Sequence, residues 1–420
     1  MSEKKKKGKA IIVGGSIAGL SCAHALILAG WDVLLLEKSS SPPNGSPTGA
    51  GIGIDPLSQQ IIQSWLQNPH LLQQLTFPLP IDQNIVTDGD KGTRILTRDE
   101  NFNFRAAHWA HLHALLYNDL PAEIFLWGHL CLSFCISEDK NSVEVKAKCL
   151  LNDEIKEING ELLVAADGCL SSIRRTFLPD FKLRYSGYCA WRGVLDFSGK
   201  ESSEIILGIR KAYPDLGNCL YFHLGNGIHT VLYELPKKKL NWIWYVHQPE
   251  PQLKGNSVTL KASSEMIKNM YREAEKVCPP EFVKMMRDTE EPFLNAIYDS
   301  DPIQQIVWDN VVLIGDAAHP TTPHGLRSTN MSIVDAAVLG KSLERWGVEN
   351  LSSALDEYQR FRLPVTSKQV LHSRRMGRIK QGLYLSDREL FDPITSTRDD
   401  CEELQQKHMP FFAGVPGLVD

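Results

Sequence analysis

From Lys9 to Val13 the chain carries a short, β-branched apolar run that breaks into Gly14-Gly15-Ser16-Ile17-Ala18-Gly19. An apolar run, a glycine turn and then apolar positions at helical spacing predict strand, tight turn and helix. The helix carries Ile17, Leu20, Ile27 and Leu28 with small Ala18, Ala23 and Ala25 between them, so it is apolar enough to be buried against a sheet. Gly30 stands where a left-handed C-terminal cap belongs. A second run, Asp32 to Leu36, ends at Glu37 and completes a βαβ unit of about 30 residues. A Pro/Gly/Ser-rich loop from Ser39 to Gly53 follows, long enough to be functional, and then an amphipathic helix from about Pro56 to Leu66.

Further on, Ile81 to Phe104 reads as strands and a hairpin, Ala107 to Leu116 as a helix, and the residues after it as β-rich. From Phe181 to Pro249 the pattern is several strands with many aromatics, separated by turn signals at Ser186-Gly187, Gly225-Asn226-Gly227 and Pro236-Lys237. A helical stretch spans Ser263 to Arg287, and one buried strand runs from Trp308 to Ile314 into Gly315-Asp316. Everything after Ser328 reads as mainly helical.

The chain is 420 residues long, 43% hydrophobic and 23% charged, which suits a protein with a sizeable core and excludes disorder as its main state. Forty-five basic residues against 50 acidic ones give a net charge of −5, where a general nucleic-acid binder is basic. Lys4 to Lys7 reads as a solvated tail. The nine cysteines are scattered without a Cys-x-x-Cys, so neither a disulfide framework nor a zinc site is expected, and no metal. Ala10 to Val13 is too short for a signal-peptide core, and no apolar run reaches the roughly 18 residues of a membrane span. A cytoplasmic, reduced setting is the expectation.

In Gly14-x-Ser16-x-x-Gly19, Gly14 permits the tight turn and Gly19 close packing of helix on strand. The helix N-terminus turns free N–H groups and about half a positive charge toward a pyrophosphate. Ser16 replaces the middle glycine of the dinucleotide fingerprint and is small enough to leave backbone approach open. Glu37 lies 23 residues after Gly14, where an acid binds a ribose 2′-hydroxyl and repels the 2′-phosphate of NADP. By itself this motif does not separate NAD from FAD.

Two further segments do. One is a strand from Glu161 running into Asp167-Gly168-x-x-Ser171-x-x-Arg174; the other is Val311 to Ile314 followed by Gly315-Asp316-Ala317-Ala318-His319-Pro320, with Asn330 and Asp335 on the next helix. In these three ordered motifs the chain resembles the group A flavin monooxygenases, the para-hydroxybenzoate hydroxylase-like family. The Gly-Gly-Ser fingerprint and Pro323-His324-Gly325 are most similar to the dihydroxypyridine hydroxylase branch, and Tyr188-Cys189-Ala190-Trp191-Arg192-Gly193 is similar to salicylate and urate hydroxylases.

The resemblance implies an α/β fold: a glutathione-reductase-like Rossmann FAD-binding domain with an inserted sheet-rich substrate domain and C-terminal helices. The FAD domain is expected at 1–80, 105–180 and 291–345, the substrate domain at 81–104 and 181–290, and a helical segment at 346–420. FAD is the implied cofactor and NADH or NADPH a transient reductant, since no second glycine fingerprint marks a nicotinamide domain. Reduced FAD would react with O2 to give a C4a-hydroperoxide that hydroxylates a small electron-rich aromatic or heteroaromatic substrate. Alternatives are a flavin oxidase or dehydrogenase, a halogenase, and a flavin-binding regulator without turnover.

Carried over by position, the implied flavin contacts are Gly14, Gly15, Ser16, Ile17, Ala18, Gly19, Glu37, Lys38, Gly51, Ile52, Asp167, Gly168, Gly315, Asp316, Pro323, Leu326, Ser328, Thr329 and Asn330. Two departures stand out. Leu326-Arg327-Ser328 occupies the place of the family's Gly-Gln-Gly, which puts Arg327 within reach of the flavin ring or the substrate. Trp109 stands where the family often has an arginine, leaving Arg105 as the candidate pyrophosphate cation. Pocket candidates chosen for polarity or ring type are Arg192, Tyr221, His223, Tyr233, Trp244 and His324, with His324 the strongest of the histidines as a base. The indoles of Trp242-Ile243-Trp244 are expected to pack on the core or line the pocket, since the Ile-Pro of the flavin halogenase motif is absent.

Overall fold

In a computed structural model, the first apolar run forms a strand, Lys9–Val13, near the middle of a six-stranded sheet. The structure describes residues 7–43, 49–89, 92–253, 257–406 and 418, so Lys4 to Lys6 of the basic tail and residues 44–48 of the long loop lie outside the described residues. Sheet order runs Val307–Trp308, Val311–Leu313, Leu162–Ala165, Lys9–Val13, Asp32–Glu37, Phe125–Trp127, parallel except at the first pair. Parallel strands are covered on both faces and therefore read as unbroken apolar runs. Ala10, Ile11, Ile12 and Leu162 to Ala165 are accordingly all fully buried.

Helix Ile17–Leu28 packs against helix Arg327–Trp346, and the contact is close enough that a Cβ on Gly340 would lie 2.9 Å from Ala25. Gly30 does take the left-handed conformation that ends the first helix, at φ +84°. Pro56 opens the next helix, Pro56–Trp65, whose cap is Asp55 accepting from the Ser58 N–H. Beside this body an antiparallel three-stranded sheet joins His129–Ile136, Val143–Cys149 and Ile155–Gly160.

The second body is an eight-stranded sheet ordered Thr259–Lys261, Phe293–Asp299, Arg184–Asp196, Lys239–His247, Ile228–Leu235, Cys219–Gly225, Ile81–Asp88, Gly92–Asp99. Alternate side chains leave a strand on opposite faces. One face meets the helices Glu204–Ala212, Ser264–Val277 and Pro280–Arg287 through Trp191, Trp242, Trp244, Tyr221, Ile209 and Phe282. The other presents Phe222, Val231, Tyr233, Ile243 and Tyr245 toward the six-stranded body. A small sheet of Gly51–Ile54, Phe104–His108 and Phe77–Leu79 lies between the two.

Three sequence expectations change. The helix read across Ser263 to Arg287 is two helices, because Pro279 and Pro280 interrupt it. The strand read from Trp308 is a hairpin, turning at Asp309, whose φ is +48°. The mainly helical reading after Ser328 holds only through Lys380: among the described residues beyond helix Leu351–Lys380 the chain runs through turns to a 3-10 segment, Asp399–Leu404, as Gly382, Pro393 and the Asp, Ser and Thr around them favour.

The core contains an ionic clamp. Asp335, fully buried, accepts from the Gly315 N–H at 2.9 Å and pairs with His319 at 2.5 Å and Arg362 at 2.7 Å. Burial raises its pKa, but His319 and Arg362 more than offset that and hold it down at about 2. Arg362→Ala removes one partner of a buried pair, and a loss of about 3–5 kcal/mol is expected. Denaturant unfolding checks it; a loss under about 1 kcal/mol, the range of exposed pairs, would contradict the clamp.

Candidate functional site

Two cavities open at the carboxyl ends of the six-stranded sheet, the edge at which open α/β sheets hold ligands. The first is a groove lined by Gly14, Gly15, Ser16, Glu37, Lys38, Asp167, Gly168 and Arg175, with His129 to Leu132 along one side. Gly14 has φ +110°, and a Cβ there would lie 2.2 Å from the Ala166 carbonyl oxygen, so the turn admits only glycine. A Cβ on Gly19 would come within 1.8 Å of the Gly14 carbonyl oxygen. Ser16 caps the helix without a side-chain hydrogen bond, which leaves the helix N-terminus open to the groove. Glu37 accepts from the Gly15 N–H at 2.7 Å and from Ser39 at 2.8 Å, so strand end and glycine turn are tied together.

The Asp167 turn borders both cavities, Gly168 and Leu170 facing the groove and Cys169 the second cavity. Its local order comes from the sequence: Asp167 accepts from the N–H groups of Ser172 and Ile173, and Ser171 caps the helix at Arg174. The buried Arg174 guanidinium then donates to the carbonyls of Ala317, Asp316 and Cys169, which welds this turn to the Asp316 turn. Burial lowers its pKa to about 10, still cationic at neutral pH.

The second cavity has two unlike sides. One consists of Gly51, Ile52 and Gly53 together with Asp316 and the Pro323 to Thr329 loop. Asp316 accepts from the Ser328 hydroxyl at 2.8 Å, and burial raises its pKa. Gly325 and Leu326 both have positive φ, +83° and +57°. For leucine that conformation costs about 1–2 kcal/mol, strain of the sort that collects at functional loops. The strain is held in place by Asn330, whose amide donates to the carbonyls of Gly53 and Leu326 and accepts from the Asp55 N–H. Arg327 adds an ion pair of 3.0 Å with Asp55, both side chains buried. Gly51 must be glycine here, since a Cβ would lie 2.5 Å from the Tyr233 hydroxyl.

The other side is the sheet face: Arg192, Phe222, His229, Val231, Tyr233, Ile243 and Tyr245, with His324 at the junction. Rings crowd His324, with Tyr245 at 5.0 Å, His229 at 5.2 Å and Tyr188 at 5.7 Å between centroids. Burial, helped by Lys380 and Arg192, pushes the pKa of His324 down to about 3, and His229 is likewise lowered by burial. Both imidazoles are therefore neutral at physiological pH.

Of the sequence candidates, Arg192, Tyr233, His324 and Arg327 meet in this cavity, as do Gly51, Ile52, Asp316, Pro323, Leu326, Ser328 and Thr329. Gly14, Gly15, Ser16, Glu37, Lys38, Asp167 and Gly168 meet in the groove, while Ile17, Ala18, Gly19 and Gly315 support it from behind and Asn330 acts on the wall. Three pocket candidates do not arrive. Tyr221, His223 and Trp244 point to the helix-covered face, where Tyr221 accepts from the Asp215 N–H, His223 meets Tyr213 and Thr87, and Trp244 is in the core. Each is one residue out of phase with a true lining position, Phe222, Ile243 or Tyr245, and one residue reverses the face. Trp242 goes the same way, donating to Thr289.

Arg105 is also displaced: it donates to Thr76 and to the carbonyls of Gln73 and Thr76, and the basic side chains lining the groove are Lys38 and Arg175 instead. Trp109 packs on Gly49 and on His113, which itself bonds the Gly15 carbonyl, and does not line the groove. Phe222, His229, Val231, Ile243, Tyr245 and Arg175 are lining residues that ring type and polarity alone did not single out.

Residues 269–373 match a family described as FAD binding domain. Over 391 residues, 90% of this chain and 90% of that protein, the chain is 26% identical to 3-hydroxybenzoate 6-hydroxylase of Polaromonas naphthalenivorans (strain CJ2). Among solved structures, 2,6-dihydroxypyridine-3-hydroxylase from Arthrobacter nicotinovorans superimposes with a TM-score of 0.76 at 19% identity, covering 93% of this chain and 97% of that one. Klebsiella pneumoniae HpxO, solved with FAD and uric acid, gives 0.72 at 21% identity, over 89% of each chain. Among the described residues no helix is long and apolar enough to cross a membrane, and no His, Cys, Asp and Glu cluster fits a metal.

The depressed pKa of His324 has a pH consequence. An unfolded histidine binds its proton near pH 6.5 and folded His324 only near pH 3, so stability is full above about pH 6.5 and is lost as pH falls toward pH 3. His324→Gln is expected to shrink the drop in melting temperature between about pH 7 and about pH 5 without abolishing it, since His229 and His223 are depressed too. An unchanged pH profile would mean that His324 is not buried as neutral imidazole.

Proposed function

We propose that this chain, which belongs with the group A FAD-dependent monooxygenases, hydroxylates a small electron-rich aromatic or heteroaromatic compound, taking electrons from NADH or NADPH and oxygen from O2. What carries this reading is one juxtaposition. A groove suited to a dinucleotide leads past the Asp167 turn into a cavity whose near side is backbone and a helix N-terminus, and whose far side is aromatic.

The residues fit FAD. The open helix N-terminus and Arg175 favour a pyrophosphate, Glu37 is placed for the adenosine ribose, and Asp316 for a hydroxyl of the ribityl chain. The flavin ring would lie between the Gly51 to Gly53 backbone and the Leu326 to Thr329 loop, where the first turn of helix Arg327–Trp346 and the Arg327 guanidinium favour negative charge. When bound, FAD supplies the electron transfer and oxygen activation that no side chain can.

The chain itself has three tasks. Phe222, Val231, Ile243 and Tyr245 form a dry wall that holds a ring flat and keeps water out. His324, neutral and in contact with the Tyr188 hydroxyl at 3.4 Å, is the group placed to share a hydrogen bond with a phenolic hydroxyl and so orient and polarise it; burial makes it too weak a base to carry the proton away. Arg192, whose side chain bonds Tyr245, supplies positive charge to an acceptor on the same ring.

Two measurements test this. Glu37→Ala and Asp316→Ala are expected to purify with clearly less FAD than the wild type; stoichiometric FAD in both would remove the assigned contacts. NAD(P)H oxidation is expected to be slow without substrate, strongly accelerated by the true substrate, and to leave one labelled atom of O2 in the product. Fast oxidation that ignores substrate, or product oxygen from water, would contradict a monooxygenase.

A further inference from the structure

Among the described residues the strand Gly51–Ile54, part of the ring cavity's wall, pairs along one edge only, with Phe104–His108. In an antiparallel pair alternate residues turn both backbone groups toward the partner or away from it. Gly51 and Gly53 turn theirs away, and two asparagines from different parts of the molecule meet them. Asn330, on helix Arg327–Trp346, donates to the Gly53 carbonyl at 2.9 Å and accepts from the Asp55 N–H at 3.0 Å. Asn241, on the strand Lys239–His247 of the eight-stranded sheet, accepts from the Gly51 N–H at 2.7 Å. The first asparagine holds this wall to the six-stranded body. The second holds it to the sheet that carries the aromatic side of the cavity.

Asn241 is unfavourable as a packing residue. Its side chain is fully buried, and its Nδ2 makes no hydrogen bond among the described residues. A buried amide with an unmet donor is less favourable than a leucine of similar shape, so packing alone does not account for it. Its oxygen meets the Gly51 N–H, and the fit around that bond is close. A Cβ on Gly51 would lie 2.5 Å from the Tyr233 hydroxyl and 2.8 Å from Asn241 Cγ, and one on Gly53 would lie 2.9 Å from Leu326 Cδ1. Tyr233 is the residue opposite Asn241 on the neighbouring strand, while Ile243 and Tyr245, further along the strand of Asn241, line the cavity. One strand thus carries both the bond to the flavin-side wall and two side chains of the face across from it.

We propose that Asn241 is a positioning residue: its hydrogen bond to Gly51 sets how closely the Gly51–Ile54 strand is held to the eight-stranded sheet, and so how far a flavin ring in the cavity is closed off from solvent. The proposal rests on reading that cavity as the flavin site. Asn241 does not line the cavity and acts through Gly51. Because its strand also carries Ile243 and Tyr245, the same bond couples the aromatic side of the cavity to the flavin side.

The test is iodide quenching of flavin fluorescence in the FAD-loaded protein, freed of unbound FAD, without substrate or reductant. Asn241→Leu keeps the shape and removes the acceptor. It is expected to raise the quenching constant by about fivefold, the population change to which a hydrogen bond of ordinary net strength corresponds. Asn241→Asp keeps an acceptor oxygen whether ionised or protonated, and is expected to stay close to wild type. Gly51→Ala, whose Cβ collides with Tyr233 and Asn241, attacks the same joint from the other side and is expected to match the Leu variant. Should the Leu variant fail to fold, Gly51→Ala decides, and wild-type quenching there overturns the proposal. Quenching unchanged in the Leu variant despite a lower melting temperature, or raised as much in the Asp variant as in the Leu variant, also overturns it. NAD(P)H consumption is an independent arm: raised accessibility in protein whose flavin neither NADH nor NADPH reduces would count against the reductant proposed above and leave the role of Asn241 standing.

Discussion

The loop that carries Asp316 is held by a carboxylate buried two turns into the following helix. Asp335 takes the Gly315 N–H on one oxygen along with His319, and Arg362 on the other. Burying such charges is costly unless every partner is met, so the cluster tolerates one arrangement and fixes the direction in which the strand Val311–Leu313 delivers the chain. A second buried pair, Asp55 with Arg327, does the same for the Gly51–Ile54 strand and the Leu326 loop on the same side of the cavity, with Asn330 bonding three backbone groups across the joint. The cavity wall is therefore set by buried ion pairs within the protein. That is the support a strained residue such as Leu326 requires.

With that wall fixed, the eight-stranded sheet contributes by alternation. Each strand gives one set of side chains to the helix-covered core and the other to the cavity, and the two sets differ in kind. Trp191, Trp242 and Trp244 go to the core, while Tyr233, Tyr245, Phe222 and His229 go to the cavity. The large indoles stabilise the sheet by burial, and the smaller rings are left to line the cavity. Polar groups are divided too: the carboxyl groups of Glu37, Asp167 and Asp316 lie along the groove and its continuation, and Arg192 on the sheet face beyond.

What the sequence made legible follows from how local each cause is. The glycine turn, the acid at Glu37 and the Asp167 and Asp316 turns are short-range backbone features, so the residues that form them also announce them. Asp316 and Arg174 are joined across 142 positions, but each sits in its own recognisable turn. The lining of the ring pocket is less legible because it depends on strand phase, and a list chosen by ring type mixes both faces: Tyr233 faces the cavity, Tyr221 and Trp244 the helix-covered core. Arg105 was misplaced because nothing local tells a cation beside a groove from one that caps the carbonyls of Gln73 and Thr76.

The central claim is that the flavin ring sits between the Gly51–Ile54 strand and the Leu326 to Thr329 loop, clamped by Arg327–Asp55. A crystal structure of the FAD complex tests it most directly. The account predicts the isoalloxazine in van der Waals contact with the Gly51 to Gly53 backbone on one side and with backbone N–H groups of the Leu326 to Thr329 loop on the other, the Arg327–Asp55 pair intact. A ring bound elsewhere, or one whose binding requires that buried pair to separate, would contradict it.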